Sequence, residues 1–575
     1  MWWRRIFIVS VILLLISGVI FRIYDFTHTP AFHVDELAFG YSSFALGKTG
    51  ADEFGQKFPL ILESFGDYKL ALYSYFLLPF MAVLGLSDWA VRLPSIIFGF
   101  LTIVLVYFFI KEYLGDKKIA TLSAFLLLIS PWHIIFSRTA NEVSMQVFLI
   151  MLLFYFWVRH LNTGRNIFRV ASLVTLILAT ISYYSSFVFI PLITLSFIFI
   201  YKKKSVRNLI TPFVVTIVLL ILLFFTQPLQ RVSQTSLFQH GQIQALITEA
   251  LQEEGHAGNL FVARLFHNKI YMSFLLIVKN YFDHFTPDFL FLQGDTNYGR
   301  YSIPFSGPLY LWELPFILTG LYLVFVKVIH KKDTKYLLFP VWILLAMIPD
   351  ALSFMGTNTQ RTVIAVPMFE VLTAMGLWQW YVFLKTKNIL LRGGIYLLFL
   401  SYALYQYLSF MHNYFVHQNV HQPWYRESYG KETVQTINEV SGKYKKTVIT
   451  GTSPMLFLFY GRIDPQEARR ILSNRTVDGM GFNHLAKFEN YMFMPIDCPT
   501  QGKTGVLYVC QGNKVAYNTN IIKVIRYGDG QPARIFLTFA DPTEKISHQL
   551  SDRIGYFEET IKDPRIISSS EDRYW

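Results

Sequence analysis

The stretch IFIVSVILLLISGVIFRIY, Ile6 to Tyr24, runs almost without charge and is soon followed by FHVDELAFGY, Phe32 to Tyr41. About twenty apolar residues are what a helix needs to cross the hydrocarbon core of a bilayer. Trp2-Trp3-Arg4-Arg5 precedes the run, and no small-residue cleavage pattern follows it. The segment therefore reads as a retained signal anchor with its N-terminus in the cytoplasm. Two adjacent carboxylates, Asp35 and Glu36, then emerge beside His33 where lipid meets water on the far side. Ionisable groups at that depth are costly and point to function.

Composition agrees with a membrane. Hydrophobic residues make up 53% and charged residues 15% of 575, with a mean hydropathy of +0.38. A soluble chain carries about a quarter charged residues. Aromatics at 17% suit lipid-facing surfaces and interfacial belts. The net charge of +13 sits mostly in short loops between apolar runs, not in a basic stripe with stacking aromatics, so nucleic acid is not a partner. Cys498 and Cys510 are the two cysteines. A zinc site needs about four ligands, which two cysteines do not supply. The cysteines are either unrelated thiols or one disulfide, if their domain lies outside the cytoplasm.

Further apolar runs begin near Leu70, Val91, Ile119, Val143, Val170, Phe187, Leu209, Leu309, Tyr336, Thr362 and Ile389. Basic clusters such as Lys111/Lys117/Lys118, Arg159/Arg165/Arg169 and Lys327/Lys331/Lys332/Lys335 follow every second run, which puts them on the cytoplasmic side. Parity then requires an even number of crossings before Lys111. The shortest run, Leu70–Leu86, contains Pro79 and Gly85, and reads as re-entrant or interfacial, leaving about eleven spans. Residues 1–410 form the transmembrane domain. Residues 411–575 change composition and carry the β-like runs KTVITG, GVLYVC and ARIFLTF, which predict a small α/β domain outside the cytoplasm. The expected fold is thus an α-helical polytopic membrane protein with a small C-terminal extracytoplasmic α/β domain.

The outward loops hold the chemistry. Leu37, Tyr41, Phe44 and Ala45 recur at helical spacing before Gly47, which predicts a short amphipathic helix on the outer surface with Asp35 at its start. Asp35 is there either as an N-cap or as a general base. The loop continues through Asp52-Glu53 to Gly66-Asp67-Tyr68-Lys69. Lys69 stands where the chain re-enters apolar sequence, as a snorkelling side chain or as a contact to a lipid phosphate. SPWHIIFSRTANEV (Ser130–Val143), read as a turn at a helix end, adds His133, Arg138 and Glu142; Arg300 and Arg361 stand in later outward segments. Carboxylates facing guanidinium and ammonium groups combine a base with cations able to steady a departing phosphate. Transporters instead set ionisable groups mid-span and often show two similar halves, which this sequence does not.

An Asp-Glu pair after the first span, the re-entering Lys69, VRLPS (Val91–Ser95), SR…NE (Ser137–Glu142), SYYSSFVFIPL (Ser182–Leu192) and RTVIAVP (Arg361–Pro367) carry a resemblance. Together they resemble the GT-C membrane glycosyltransferases, in the protein mannosyltransferase and aminoarabinose transferase branch, over roughly the first 410 residues. The resemblance implies an inverting transfer from a polyprenyl-phosphate sugar to a hydroxyl of a glycan, lipid or protein acceptor. The active site would sit in an outward cavity under the first loop. Asp35 is implied as catalytic base, and Lys69 with Arg138, Arg300 or Arg361 as ligands of the donor phosphate. His33, Glu36, Asp67, Tyr68, Glu142 and Tyr183 are implied as substrate contacts. Two departures stand out: Ala38-Phe39 replaces the Arg-Tyr of the aminoarabinose transferases, and the Gln227–Pro308 segment is too short for the trefoil domain of the protein mannosyltransferases. The Trp-Trp-Asp motif of metal-dependent oligosaccharyltransferases is absent. No metal or cofactor is therefore expected, with His33 beside Asp35 and Glu36 as the one place for a cation. The competing readings are an oligosaccharide polymerase or ligase with a diphosphate-linked donor, and a membrane transporter.

Overall fold

The structure, a computed structural model, describes residues 2–539 apart from 202–205, 226–235, 238–240, 255–259, 296–298, 355, 427, 478–482, 486, 489, 495–497, 500, 513–514 and 517–518. It divides into two compact units. The first holds Met1–Val434, Ser453–Leu485 and Tyr527–Asp529; the second holds Gln435–Thr452, Ala486–Arg526 and the residues from Gly530 onward. The stretch Ser453–Leu485 thus belongs with the helical unit, although it lies beyond residue 410.

The first unit begins with α1 (Trp2–Ile23), α2 (Val34–Thr49) and a hairpin of β1 (Ile61–Ser64) and β2 (Asp67–Leu70). It continues through α3 (Leu72–Leu84), α4 (Asp88–Leu114), α5 (Lys117–Ile129), α6 (Pro131–Ser137), α7 (Glu142–Thr163), α8 (Asn166–Thr180), α9 (Ser186–Ile200) and α10 (Val206–Phe224). Among the described residues six helical stretches are long and apolar enough to cross a membrane: Asp88–Leu114, Glu142–Thr163, Leu311–Ile329, Thr334–Ala351, Thr359–Leu384 and Ile389–His417. The pair α5/α6, bent by 60°, makes a broken span or a re-entrant loop, and brings the number to seven if it crosses. The predicted turn at Ser130–Glu142 is therefore corrected. Pro131 starts a new helix there, because its ring clashes with continued α-geometry but fits a first helical turn. Helix α3, with 13 residues, reaches only about 20 Å at 1.5 Å per residue. That falls short of a hydrocarbon core of about 30 Å.

Local signals fix the joints. Asp116 accepts from the Lys118 and Ile119 N–H groups and starts α5 directly after Gly115, whose φ of 76° closes α4. Asn141 accepts from the Ser144 N–H to start α7. Deeper in the unit two glycines let helices touch backbone to backbone. A Cβ on Gly320 would sit on the Leu372 carbonyl, and one on Gly376 on the Phe316 carbonyl. Small residues at such crossings are how spans associate where no water drives them together.

Helix α2 differs from its prediction in three ways. Its N-cap is His33, not Asp35: the His33 Nδ1 accepts from the Asp35 N–H, and the Glu36 carboxylate accepts from the His33 N–H. Asp35 is thereby left free for other partners. The helix runs past Gly47 and stops at Gly50, whose φ of 67° suits glycine. Residues Glu36 to Ser43 are buried, so this is an internal helix and not a surface one. Gly40 is needed where Val91 and Phe459 would meet a Cβ at 2.6 and 2.7 Å.

The second unit is a six-stranded sheet in the order β6-β7-β3-β8-β10-β9, with β3 parallel to β7 and β8 and the other pairs antiparallel. Its strands are β3 (Lys446–Thr450), β6 (Lys487–Phe488), β7 (Tyr491–Met494), β8 (Val506–Gln511), β9 (Thr519–Arg526) and β10 (Pro532–Phe539); a short hairpin of β4 (Thr476–Val477) and β5 (Asn483–His484) belongs to the first unit. Val448, Tyr508, Ile535, Leu537 and Phe539 form its core. Of the two open readings of the cysteines the disulfide is the one found, joining Cys498 to Cys510 against that core.

Candidate active site

The site is organised around the start of α2. Asp35 Oδ1 accepts from Lys69 Nζ at 2.8 Å, and Oδ2 accepts from an Arg300 guanidinium nitrogen at 2.6 Å. Lys69 is delivered by β2, where alternate side chains face opposite ways. Asp67, on the same face, lies 3.8 Å from the ammonium. Tyr68 projects to the other face, paired in register with Glu63, and does not join the cluster. The Phe39 ring lies 4.9 Å below the ammonium, a cation–π contact. Burial pushes the Asp35 carboxyl up, but Lys69 and Arg300, helped by His33, outweigh it and hold the group well below the usual carboxylate range. Burial lowers the His33 imidazole to about 4, so it is neutral at pH 7.

Glu36 points the opposite way. Both its oxygens accept from Arg92, at 2.7 Å each, and Oε2 also takes the Ala140 N–H at 2.8 Å. With the His33 N–H and Arg426 at 3.5 Å completing its shell, this carboxylate is an anchor. The expected substrate contact is corrected accordingly: a fully buried carboxylate with this many donors offers no side to a ligand.

Three arginines clamp the loop that leads into α2. Arg138 donates to the Phe21, Tyr24 and Thr29 carbonyls and to the Tyr414 hydroxyl. Arg92 donates to Phe26, Pro30 and Ala31 carbonyls. Arg426 donates to the carbonyls of Ala31 and Arg300. Arg138 is fully buried with four of its five donors on these oxygens, which leaves it a poor candidate among the expected phosphate ligands.

Arg361 belongs to a second cluster. It donates to Asp350 at 3.0 Å and to the Ser353 hydroxyl at 2.5 Å, while Asp350 also receives His284 at 2.8 Å and the Asn358 N–H at 2.6 Å. Tyr183 lies within hydrogen-bonding reach of Arg361. Glu142, buried at the start of α7, is near enough to Lys69 and Asp35 for both charges to act on it, and Tyr183 in turn feels Glu142 and Arg361. Lys69, Arg300, Asp35, His33, Asp67 and Glu142 are thus brought together, with Tyr183 and Arg361 one step further on. Among the described residues no three His, Cys, Asp or Glu side chains form a metal-ligating group.

A small apolar cavity of about 40 Å³ opens beside the hairpin, lined by Leu60, Ile61, Leu70, Ala71, Leu72, Tyr75, Ile181 and Leu223. Leu70 directly follows Lys69 in β2, so the cavity and the ammonium are neighbours along one strand.

The sequence reading missed Arg92 and Arg426. Arg92 had a signal: an arginine two residues into a span opened by VRLPS. Arg426 had none, since its partners lie more than a hundred residues away along the chain.

Residues 71–229 match the family described as dolichyl-phosphate-mannose-protein mannosyltransferase. No curated protein matches the chain. The oligosaccharyltransferase of Archaeoglobus fulgidus, solved in the apo form, is similar at a TM-score of 0.50 and 16% identity, over 80% of this chain and 64% of its own. The chain therefore spans less than two thirds of that relative's length. ArnT from Cupriavidus metallidurans, solved with undecaprenyl phosphate bound, is similar at a TM-score of 0.50 and 12% identity, over 92% of this chain and 97% of its own. Identities this low speak for the fold. Residues 71–229 thus match that family by sequence, and the chain as a whole shares the fold of these two membrane glycosyltransferase structures.

Proposed function

We propose that the chain moves a sugar from a polyprenyl-phosphate carrier to an acceptor hydroxyl on the extracytoplasmic face of the membrane, with inversion at the anomeric carbon. The acceptor is a glycan, a lipid or a protein. One observation carries the reading: each oxygen of Asp35 is held by a different cation, Lys69 and Arg300. Such a triad suits exchange. A donor phosphate arriving at the site competes with Asp35 for both cations, since a phosphate dianion or diester binds them by the same charge-assisted bonds. Drawing the cations onto the phosphate frees the carboxylate and raises its basicity. Asp35 then takes the proton of the acceptor hydroxyl as that oxygen bonds to C1. The bond from C1 to the phosphate oxygen breaks, and its electron pair leaves with the polyprenyl phosphate, whose charge Lys69 and Arg300 neutralise. In this scheme no step requires a metal ion.

The carrier's apolar tail would run along the apolar surface beside β2, where Leu70, Ala71 and Leu72 follow Lys69 without a break. The ArnT relative was solved with undecaprenyl phosphate, a ligand of this class. In the same reading the N-terminus is cytoplasmic, residues 1–410 hold the catalytic groups, and the remainder to residue 575 lies largely outside the cytoplasm.

Membranes supplied with radiolabelled polyprenyl-phosphate mannose, glucose and aminoarabinose test the proposal. Transfer is expected from at least one donor. Asp35→Asn is expected to lower turnover about a hundredfold or more, the scale of a lost general base, with binding of the polyprenyl phosphate retained. Equal turnover in the two proteins overturns the assignment.

A further inference from the structure

Arg426 touches neither Asp35 nor Lys69, yet the site depends on it by position. It follows the short turn Pro423–Tyr425 beyond the last span and is almost completely buried. One nitrogen donates to the Ala31 carbonyl at 2.9 Å, and that same nitrogen lies 3.5 Å from Glu36 Oε1. The other terminal nitrogen donates to the backbone carbonyl of Arg300. Its guanidinium also lies 5.4 Å from the centre of the Tyr301 ring. A single planar group therefore ties the backbone of residue 300 to the loop that launches α2.

Arg300 needs such a fixture. It lies in a turn, outside every described helix and strand. Asp35, by contrast, sits on a capped helix whose entry is clamped by three arginines. Holding the two at 2.6 Å requires a link between the rigid side and the irregular one, and the Arg426 fork spans that gap. Lysine, with all its donors on one nitrogen, cannot present two bonds at the fixed separation of the guanidinium fork.

We propose that Arg426 is a positioning residue: it sets the Arg300 guanidinium against Asp35 and, on the functional reading above, against the donor phosphate. The chain after the last span thereby completes a binding site built from the first loop.

The test uses the full-length protein with Arg426→Gln, Arg426→Lys, Arg300→Gln and the double variant Arg300→Gln/Arg426→Gln. Two quantities are read: the Kd for a polyprenyl monophosphate, and amide hydrogen exchange in peptides covering Arg300 and Tyr301. Arg426→Gln is expected to speed exchange in those peptides and to weaken binding roughly tenfold, the scale of one lost hydrogen bond to a charged group. Arg426→Lys should do the same while keeping the charge, and serves if the Gln variant does not fold. The double variant should bind no more weakly than Arg300→Gln alone, because Arg426 acts through Arg300. Additive losses, or unchanged exchange around residue 300 in both Arg426 variants, overturn the inference. Wild-type binding by Arg300→Gln, with exchange still faster in the Arg426 variants, instead overturns Arg300 as a phosphate ligand and leaves the positioning intact.

Discussion

Lys69 and Asp35 meet at 2.8 Å with unequal access to water: the lysine side chain is 7% exposed and the carboxylate 29%. The cation is the sealed partner and the acid the open one. On the proposed function, an incoming donor phosphate would reach Lys69 by displacing Asp35, which would couple donor binding to release of the base.

That coupling has a pH signature. In the free protein Asp35 is ionised well into acid, because Lys69 and Arg300 overcome the effect of burial. Its depressed pKa adds stability above the unfolded value of about 3.9, and that stability is lost as pH falls through the folded pKa. The acid limb of kcat/KM is expected below the ordinary carboxylate range, and the limb of kcat above it, since the donor draws the cations away. Lys69→Gln should move the kcat/KM limb to higher pH. A limb that stays put in the variant contradicts the triad.

Glu36 and Arg92 form a bidentate pair with neither side chain appreciably exposed. Removing one partner strands the other charge in the interior, an effect of about 3–5 kcal/mol. Glu36→Gln and Arg92→Gln are each expected to lower the Tm of the detergent-purified protein by several degrees. Arg92→Lys should fare little better, because lysine cannot reproduce the fork or reach the Phe26, Pro30 and Ala31 carbonyls together.

Glu53 makes the opposite prediction. It is buried, with Ser42 donating to one oxygen at 2.9 Å and no partner at the other. Burial, with Asp52 and Glu63 nearby, raises its carboxyl to about 8, so the folded protein keeps the proton where the unfolded chain has lost it. Stability from this group is present at acid pH and declines as pH rises from about 4.5 to about 8, by at most about 1.4 kcal/mol per pH unit. Glu53→Gln, a fixed mimic of the protonated acid, should gain on the wild type steadily across that window in thermal melts. Parallel curves at all pH values would contradict it.

Much of the fold was legible because hydropathy and charge are written locally: a run of apolar residues needs no partner to announce itself. The Asp35–Lys69 pairing was legible in outline for the same reason, since both groups stand at the edge of apolar sequence within one loop. What resisted reading depends on company the chain keeps at long range. Asp35 looked like a helix cap until His33 was seen to fill that role. Arg138 and Glu36 looked like ligands because their partners, backbone carbonyls and a buried arginine, leave no mark in a sequence. Helix α2 looked amphipathic because Ser42 and Ser43 are polar by type, yet both are buried.

The arginine clamp on residues 21–31 grips main-chain oxygens, and every amino acid supplies the same oxygen. The grip therefore reads residue count and not side-chain identity: outside Arg22, Asp25, Phe26, Thr29 and Pro30, whose side chains have contacts or backbone settings of their own, substitutions should be tolerated, while one insertion would slide each carbonyl away from its guanidinium.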